Sequence, residues 1–451
     1  MPCERGSSPA FRAYRTWRLL IAAALLVSGC KGDPKFFLEK KPLPEVPHQG
    51  FRRDIPDERR GNAVFDRAVY TPDGNYLVTA GRGFRVWDPR TGELLRRIPG
   101  TLDGNDPLVV DGAHHRLLAR RDVAPTTDDA AGLGIWDLRD GALVGLIPES
   151  FEVRVVPIGT TRTGLAVVLR QGAYETWSLD GSGRRQVIGP PPSLGERWPG
   201  CVGGMFATYN DKHCWELSPS GRWLAVAATP AEPIGAPSQF FLIDVERGRV
   251  SPIEMPAERV GDHIAAFAFS QDERTLAVGL STGLLIVPVE HTPVDEVASG
   301  PLFIPGQHQR NQYLGAMAFT AGDTRLIALG DQLQISTYDV ATGALVGRTA
   351  PPFSDFEGVL RVSADGTRAV TYRFLSDILV SIDGATGVQR GHVCPYFCNR
   401  FHNPVEVHFA VSHDGRRVAV SRRHGAGIFD VDADTLIAPL DDPTMPPRVP
   451  K

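Results

Sequence analysis

From Phe65 onward, short apolar runs alternate with clusters of turn residues, and the alternation repeats. The clearest copy is Phe65 to Gly100, which reads FDRAVYTPDGNYLVTAGRGFRVWDPRTGELLRRIPG. One apolar run ends at Tyr70, a Thr71-Pro-Asp-Gly74 turn follows, and a second run spans Tyr76 to Ala80. After a Gly-containing turn come Phe84-Arg-Val-Trp87, the turn Asp88-Pro-Arg-Thr-Gly92, and a last run from Glu93 to Ile98. Turn residues break these runs too often for a helical stripe of period 3.6. The pattern predicts four short strands joined by tight turns in about forty residues.

Degenerate copies align on the residue that closes the third strand. These are Asp88, Asp137, Ser178, Asp244, Pro288, Asp339, Asp383 and Asp430, at steps of 49, 41, 66, 44, 51, 44 and 47 residues. The residue before each is large and apolar: Trp87, Trp136, Trp177, Ile243, Val287, Tyr338, Ile382 and Phe429. Such residues suit a strand buried on both faces. The turn that follows is DPRTG, DLRDG, DVERG, DVATG or DGATG at 88–92, 137–141, 244–248, 339–343 and 383–387. Asp accepts hydrogen bonds from turn amides, and Gly supplies the left-handed residue that reverses the chain. The acids therefore read as turn-formers rather than catalysts. A second signature lies between the first and second strands: TPDG at 71–74, SPSG at 218–221, SQDE at 270–273, TAGD at 320–323, SADG at 363–366 and SHDG at 412–415. Weaker versions stand at Asp111-Gly112 and Thr160 to Gly164.

TPDG, VWDPRTG and IWDLRDG make the chain resemble the WD40-like β-propellers, over roughly residues 63–440. The Gly-His pair that precedes the first strand in that family is missing from nearly every copy; only Gly261-Asp262-His263 comes near. The resemblance implies an all-β fold, a single β-propeller, and the eight copies of each signature make it eight four-stranded blades, with seven as the alternative. The first copy starts with its innermost strand, so the ring is expected to close by packing of the first blade on the last.

Ahead of the repeats, Arg5, Arg12, Arg15 and Arg18 precede a nine-residue apolar core, Leu19 to Val27. That core is too short to span a bilayer, which takes about 20 residues, but fits an export signal. Val27-Ser28-Gly29-Cys30 resembles a bacterial lipobox, which implies cleavage before Cys30 and lipidation of its thiol. Lys31 in place of Asp leans towards the outer membrane by the enteric sorting rule. The expected organisation is a signal peptide at 1–29, a Pro- and charge-rich tether at 30–62, the propeller at 63–440 and a Pro-rich tail at 441–451. Net charge is −4, and removing 1–29 leaves 44 basic against 51 acidic residues. A mildly acidic surface argues against nucleic-acid binding, which needs a basic face.

Cys201, Cys214, Cys394 and Cys398 remain. An even count in an exported chain points to disulfides. The two pairs fall in connections on opposite sides of the ring, beyond the ~7 Å Cα limit for cross-pairing, so local pairs Cys201–Cys214 and Cys394–Cys398 are expected. His392, Cys394, Cys398 and His402 also form HxCxxxCxxxH, an alternative zinc or copper set; the disulfide reading assigns no metal. Extra length lies in Gly189 to His213, Glu290 to Tyr313 and Gly391 to Pro404, read as connections between blades. Long loops on a rigid scaffold carry binding function. Arg197, Trp198, Tyr209, Trp215, Tyr396, Phe397, Arg400 and Phe401 supply side chains typical of interface hot spots, or they cover the strand ends.

There is no GxSxG elbow, P-loop, HExxH or dinucleotide-binding Gly motif, and no cofactor is implied. The chain is expected to be a non-catalytic, lipid-anchored platform that holds an envelope protein through its loop face. The alternatives are a propeller enzyme or small-molecule site at the channel mouth, and a part of an outer-membrane assembly machine.

Overall fold

The computed structural model describes residues 65, 67–81, 83–100, 108–120, 132–149, 155–190, 215–228, 239–253, 256, 264–280, 282–289, 301–305, 316–320, 322–329, 335–349, 356–373, 378–393, 408–422 and 425–443. The chain divides into two compact units, Met1–Gln49 and Gly50–Lys451, and every described residue lies in the second.

That unit holds eight antiparallel sheets, each of four strands hydrogen-bonded in chain order. The blades run from Arg67 to Ile98, Val109 to Pro148, Val155 to Ile188, Trp215 to Ile253, Ile264 to Pro305, Ala316 to Thr349, Phe356 to Val393, and His408 to Pro439. Eight apolar clusters fill the eight gaps between consecutive blades. One of them joins Phe65, Tyr70, Leu77 and Trp87 of the first blade to Ala410, Ala419, Ile428 and Leu440 at the last. The innermost strands of these two blades are also in contact. The ring is closed, and the fold is an eight-bladed β-propeller.

Sequence position explains the layers. Second and third strands have neighbouring blades on both faces, so they read as continuous apolar runs. Leu77–Gly81 and Thr275–Leu280 are buried at nearly every residue. Outer strands alternate: in Leu94–Ile98 every second side chain is exposed. The third copy, whose closing residue is Ser178, forms a regular blade. Asp180, two residues later, takes over the missing role: it accepts from the Ser178 hydroxyl at 2.5 Å and the Ser182 amide at 2.8 Å.

Two expectations change. Glu290 to Tyr313 is not one inter-blade connection, because Leu302–Pro305 is the outer strand of the fifth blade. With Pro288 closing the third strand there, no Asp-Gly turn announces the hairpin. The segment that begins at Asp441 is not simply a tail. Asp442 is fully buried, its carboxylate 2.5 Å from Arg85 Nε and paired with Arg97. Those arginines stand on the third and fourth strands of the first blade, so Asp442, three residues past the last strand, clasps the ring shut.

Candidate functional site: two ends and a channel

Strand alternation fixes what each end of the ring carries. The turns between first and second strands, and between third and fourth, lie at one end. The connections between second and third strands, and between blades, lie at the other.

The turn end is a hydrogen-bonded frame. Ser or Thr opens each inner turn but the second and is nearly fully buried. Where an Asp stands two residues on, the hydroxyl donates to it, at 2.7 Å in Ser270–Asp272 and 2.6 Å in Ser363–Asp365 and Ser412–Asp414. The same oxygen accepts from the amide five residues on, at 2.9 Å for Thr275 and Arg417. The outer turns work alike. Asp339 accepts from the Thr342 amide at 3.0 Å, and Asp383 accepts from the Ala385 and Thr386 amides at 3.0 and 2.9 Å. Neighbouring turns are also joined: Ser220 Oγ donates to Glu273 at 2.6 Å, and the Gln271 and Asp272 amides donate to Asp323 at 2.8 and 2.9 Å. Glu273 and Asp323 hold left-handed φ of 60° and 65°, which costs a non-glycine residue free energy. Their carboxylates offset it by linking blades.

These acids are committed to structure. Asp137 is held well below the usual carboxylate range, first by the Arg139 side chain, then by the Arg139 amide and Arg116, against partial burial. Arg116 Nη1 lies 2.5 Å and Arg139 Nη2 2.7 Å from it. A depressed carboxylate stabilises the fold above its unfolded value and loses that contribution as pH falls through the folded value. We expect Asp137→Asn to cost ~1–3 kcal/mol at neutral pH, with the cost shrinking as pH falls below the ordinary carboxylate value of about 4. Urea melts across pH 2–7 check this; a constant difference at all pH values would refute the assignment.

The residues expected to bind partners fall, in sequence, within or beside connections between blades. The segments 191–214 and 394–407 join the third blade to the fourth and the seventh to the eighth, so both leave at this end, on opposite sides of the ring. Arg197, Trp198, Tyr209, Tyr396, Phe397, Arg400 and Phe401 lie outside the described residues, as do Cys30, Cys201, Cys214, Cys394, Cys398 and His402. Trp215 is described. It begins the innermost strand of the fourth blade, half-buried, and packs on the cluster between the third and fourth blades. His392 is half-buried on the outer strand of the seventh blade. Among the described residues no group of His, Cys, Asp and Glu could hold a metal ion.

The innermost strands carry charges that the repeat pattern alone does not single out. Counting two residues back from the residue that opens each inner turn gives one level of the innermost strands. Strand register supports the equivalence. That level reads Val69, Val109, Gly159, Glu216, Ala268, Ala318, Arg361 and Ala410. Six positions are small or apolar; Glu216 and Arg361, three blades apart, are charged and exposed. Glu216 stands on the innermost strand of the fourth blade, reached by water yet surrounded by protein. Burial pushes its carboxyl up to about 7, opposed by the positive charge of Arg361. Arg67 and His408 stand two residues further from the turns, on the adjoining first and eighth blades.

A raised carboxyl pKa favours the fold below the unfolded value near 4.5, and the contribution is lost as pH rises through about 7. Glu216→Gln is therefore expected to raise the melting temperature at pH 8 and leave it unchanged at pH 4. Equal shifts at both would contradict the enclosed setting.

No protein-family profile matches the chain, and no curated protein matches it. Among solved structures, a mitotic checkpoint complex matches with 14% identity and a TM-score of 0.47, covering 76% of this chain and 95% of that chain. The β-propeller domain of Cps50 (Swd1) from Myceliophteria thermophila matches with 14% identity and a TM-score of 0.45, covering 83% of this chain and 97% of that chain. Hydrazine synthase from Kuenenia stuttgartiensis matches with 14% identity and a TM-score of 0.46, covering 75% and 99%. Similarity of this degree bears on neither partner nor activity.

Proposed function

We propose that the chain is a non-catalytic binding platform, tethered by lipid at Cys30 in a bacterial envelope, that holds a protein through the connection end of its propeller. One observation carries this reading: the two ends of the ring differ. One end is a frame of hydrogen-bonded turns whose acids are used within the turns and, at Glu273 and Asp323, between blades. At the other end the connections 191–214 and 394–407 begin and finish, on opposite sides of the ring, and both are rich in Arg and aromatic residues. A rigid ring with long loops at one end suits recognition. The Arg-rich start, the nine-residue apolar core and Val27-Ser-Gly-Cys30 supply the anchor.

The test is cross-linking and affinity purification of the full-length protein from its native membranes, with Cys30→Ser as the unanchored control. One stoichiometric envelope protein, lost when 391–404 is replaced by a Gly-Ser linker, is the expected result. Recovery of nothing above background, or of a partner indifferent to that replacement, would reject the platform reading.

A further inference from the structure

We propose that the rim of the first four blades, led by Arg184, Arg185 and Arg249, meets an anionic lipid surface, so that the ring stands on its edge. This deepens the proposed function: it rests on the lipid at Cys30 to bring the ring to a membrane, and it leaves the connection end free for a protein.

The argument starts from the eight outer strands. They contain no Asp and no Glu. In those forty residues the chain's own share of acids, 52 in 451, would put about five. Apart from His392, their ionisable residues are all arginines. Arg96, Arg97, Arg184, Arg185 and Arg249 lie in the first four blades, and only Arg348 and Arg390 lie beyond. A sheet edge is kept from pairing with other chains by charge of either sign. Edge protection therefore explains charge on these strands but not the missing acids.

The first half of the ring also differs in how its arginines are used. Arg185 and Arg249 are exposed, and neither makes an ion pair among the described residues. Arg185 donates to Ser182 Oγ at 2.9 Å. Arg184 Nη1 lies 3.2 Å from Glu175, and Arg97 pairs with Asp442; both acids are buried while the arginines stay exposed. The third and fourth blades touch at this rim, where Gly248 packs against the Gln186 side chain. Arg184, Arg185 and Arg249 each stand within two residues of that contact, so they form one group. Leu95, Leu143 and Val187 are exposed on the same outer strands. Arginines beside exposed apolar side chains suit a surface of anionic headgroups. The opposite half has the apolar part without the charge. Val346, Val388 and Ile437 are exposed there, but Arg348 is half-buried and Arg390 Nε lies 2.8 Å from Asp383. Connectivity points the same way: the chain from Cys30 enters the ring at Phe65, which is buried against the first blade.

The experiment is hydrogen exchange on the full-length protein purified from its native cells. It is placed on vesicles of phosphatidylcholine alone, or mixed equally with phosphatidylglycerol. On the mixed vesicles, amides of Leu94–Ile98, Arg184–Ile188 and Arg249–Ile253 should exchange about fivefold or more slowly than on phosphatidylcholine. Those of Leu345–Thr349 and Gln389–Val393 should be unchanged. The difference should vanish at about 0.5 M salt, which screens the charges. Arg185→Gln combined with Arg249→Gln should remove it. Arg390→Glu, the same change of net charge on the opposite half, should keep it. Equal rates on the two vesicle types, slowing all round the rim, or a difference that survives salt or the paired substitution would overturn the proposal. Equal slowing by soluble polyphosphate without vesicles would overturn the lipid surface in favour of an anionic polymer. The vesicle and salt comparisons need no variant, so a substitution that fails to fold does not block the test. The mass of the Cys30 peptide reads the anchor separately. A chain without acyl groups there rejects the anchor, and the rim then stands only if that chain sediments with the mixed vesicles and not with phosphatidylcholine.

Discussion

Replacing Asp442 with alanine is expected to cost ~3–5 kcal/mol of stability, the penalty for leaving one partner of a buried ion pair uncompensated. Asp442 is fully buried and Arg85 nearly so, with their charged atoms 2.5 Å apart. Arg97, the second partner, is 41% exposed, so water solvates it once the carboxylate is gone. Arg85 has no such outlet, and its Nη1 is already buried without a hydrogen-bond partner. The loss should be local before it is global. In a repeat ring each blade contacts only its neighbours, so amide exchange should accelerate in the first and eighth blades and hardly change in the fourth and fifth. Arg85→Met combined with Asp442→Leu removes both charges and should recover most of the loss. If Asp442→Ala costs under about 1 kcal/mol, as an exposed pair would, the clasp is not what holds the seam.

Much of this ring is legible in the residues alone. The eight residues ahead of the closing position include Trp87, Ile243, Ile382 and Phe429, all buried between blades. Local chemistry writes those signals: a hydroxyl, an Asp and a Gly at fixed offsets build a turn within the residues that spell it. The hairpin after Pro288 lacks that spelling, so nothing local marks it. Asp442 is silent for another reason. Its partner Arg85 is 357 residues away, and nothing near Asp441-Asp442-Pro443 marks the residue as buried. The charges on the innermost strands fall between these cases. Glu216 and Arg361 look like ordinary strand charges when taken singly. Alignment of the copies on the turn-opening Ser puts both at one offset, and that offset is otherwise small or apolar.

The hydrophobic side of the same seam gives the second large effect. Trp87→Ala should cost ~3–5 kcal/mol, the range for emptying a buried aromatic site. Trp87 is fully buried in the cluster that joins the first blade to the eighth. The eighth blade meets it with Ala410, Ala419 and Ala426, small residues that make room for an indole. Strands held in a sheet cannot move in to fill the space, so a cavity would remain. The indole Nε1 also donates to Thr79 Oγ1 at 2.9 Å, and both groups are buried. Trp87→Phe keeps most of the packing and loses that bond, so it should cost only ~1–2 kcal/mol. Trp177 is the internal comparison. It occupies the equivalent position in the third blade but is half-buried, with Arg170 stacked 5.4 Å above its ring. Trp177→Ala should therefore cost distinctly less. Because Trp87 and Asp442 guard one seam, their substitutions should be less than additive when combined: once the seam is open, the second change has little left to break. Denaturant melts of the single and double variants measure this directly. Full additivity, or equal losses at Trp87 and Trp177, would mean that the first and eighth blades are held together no differently from any other pair.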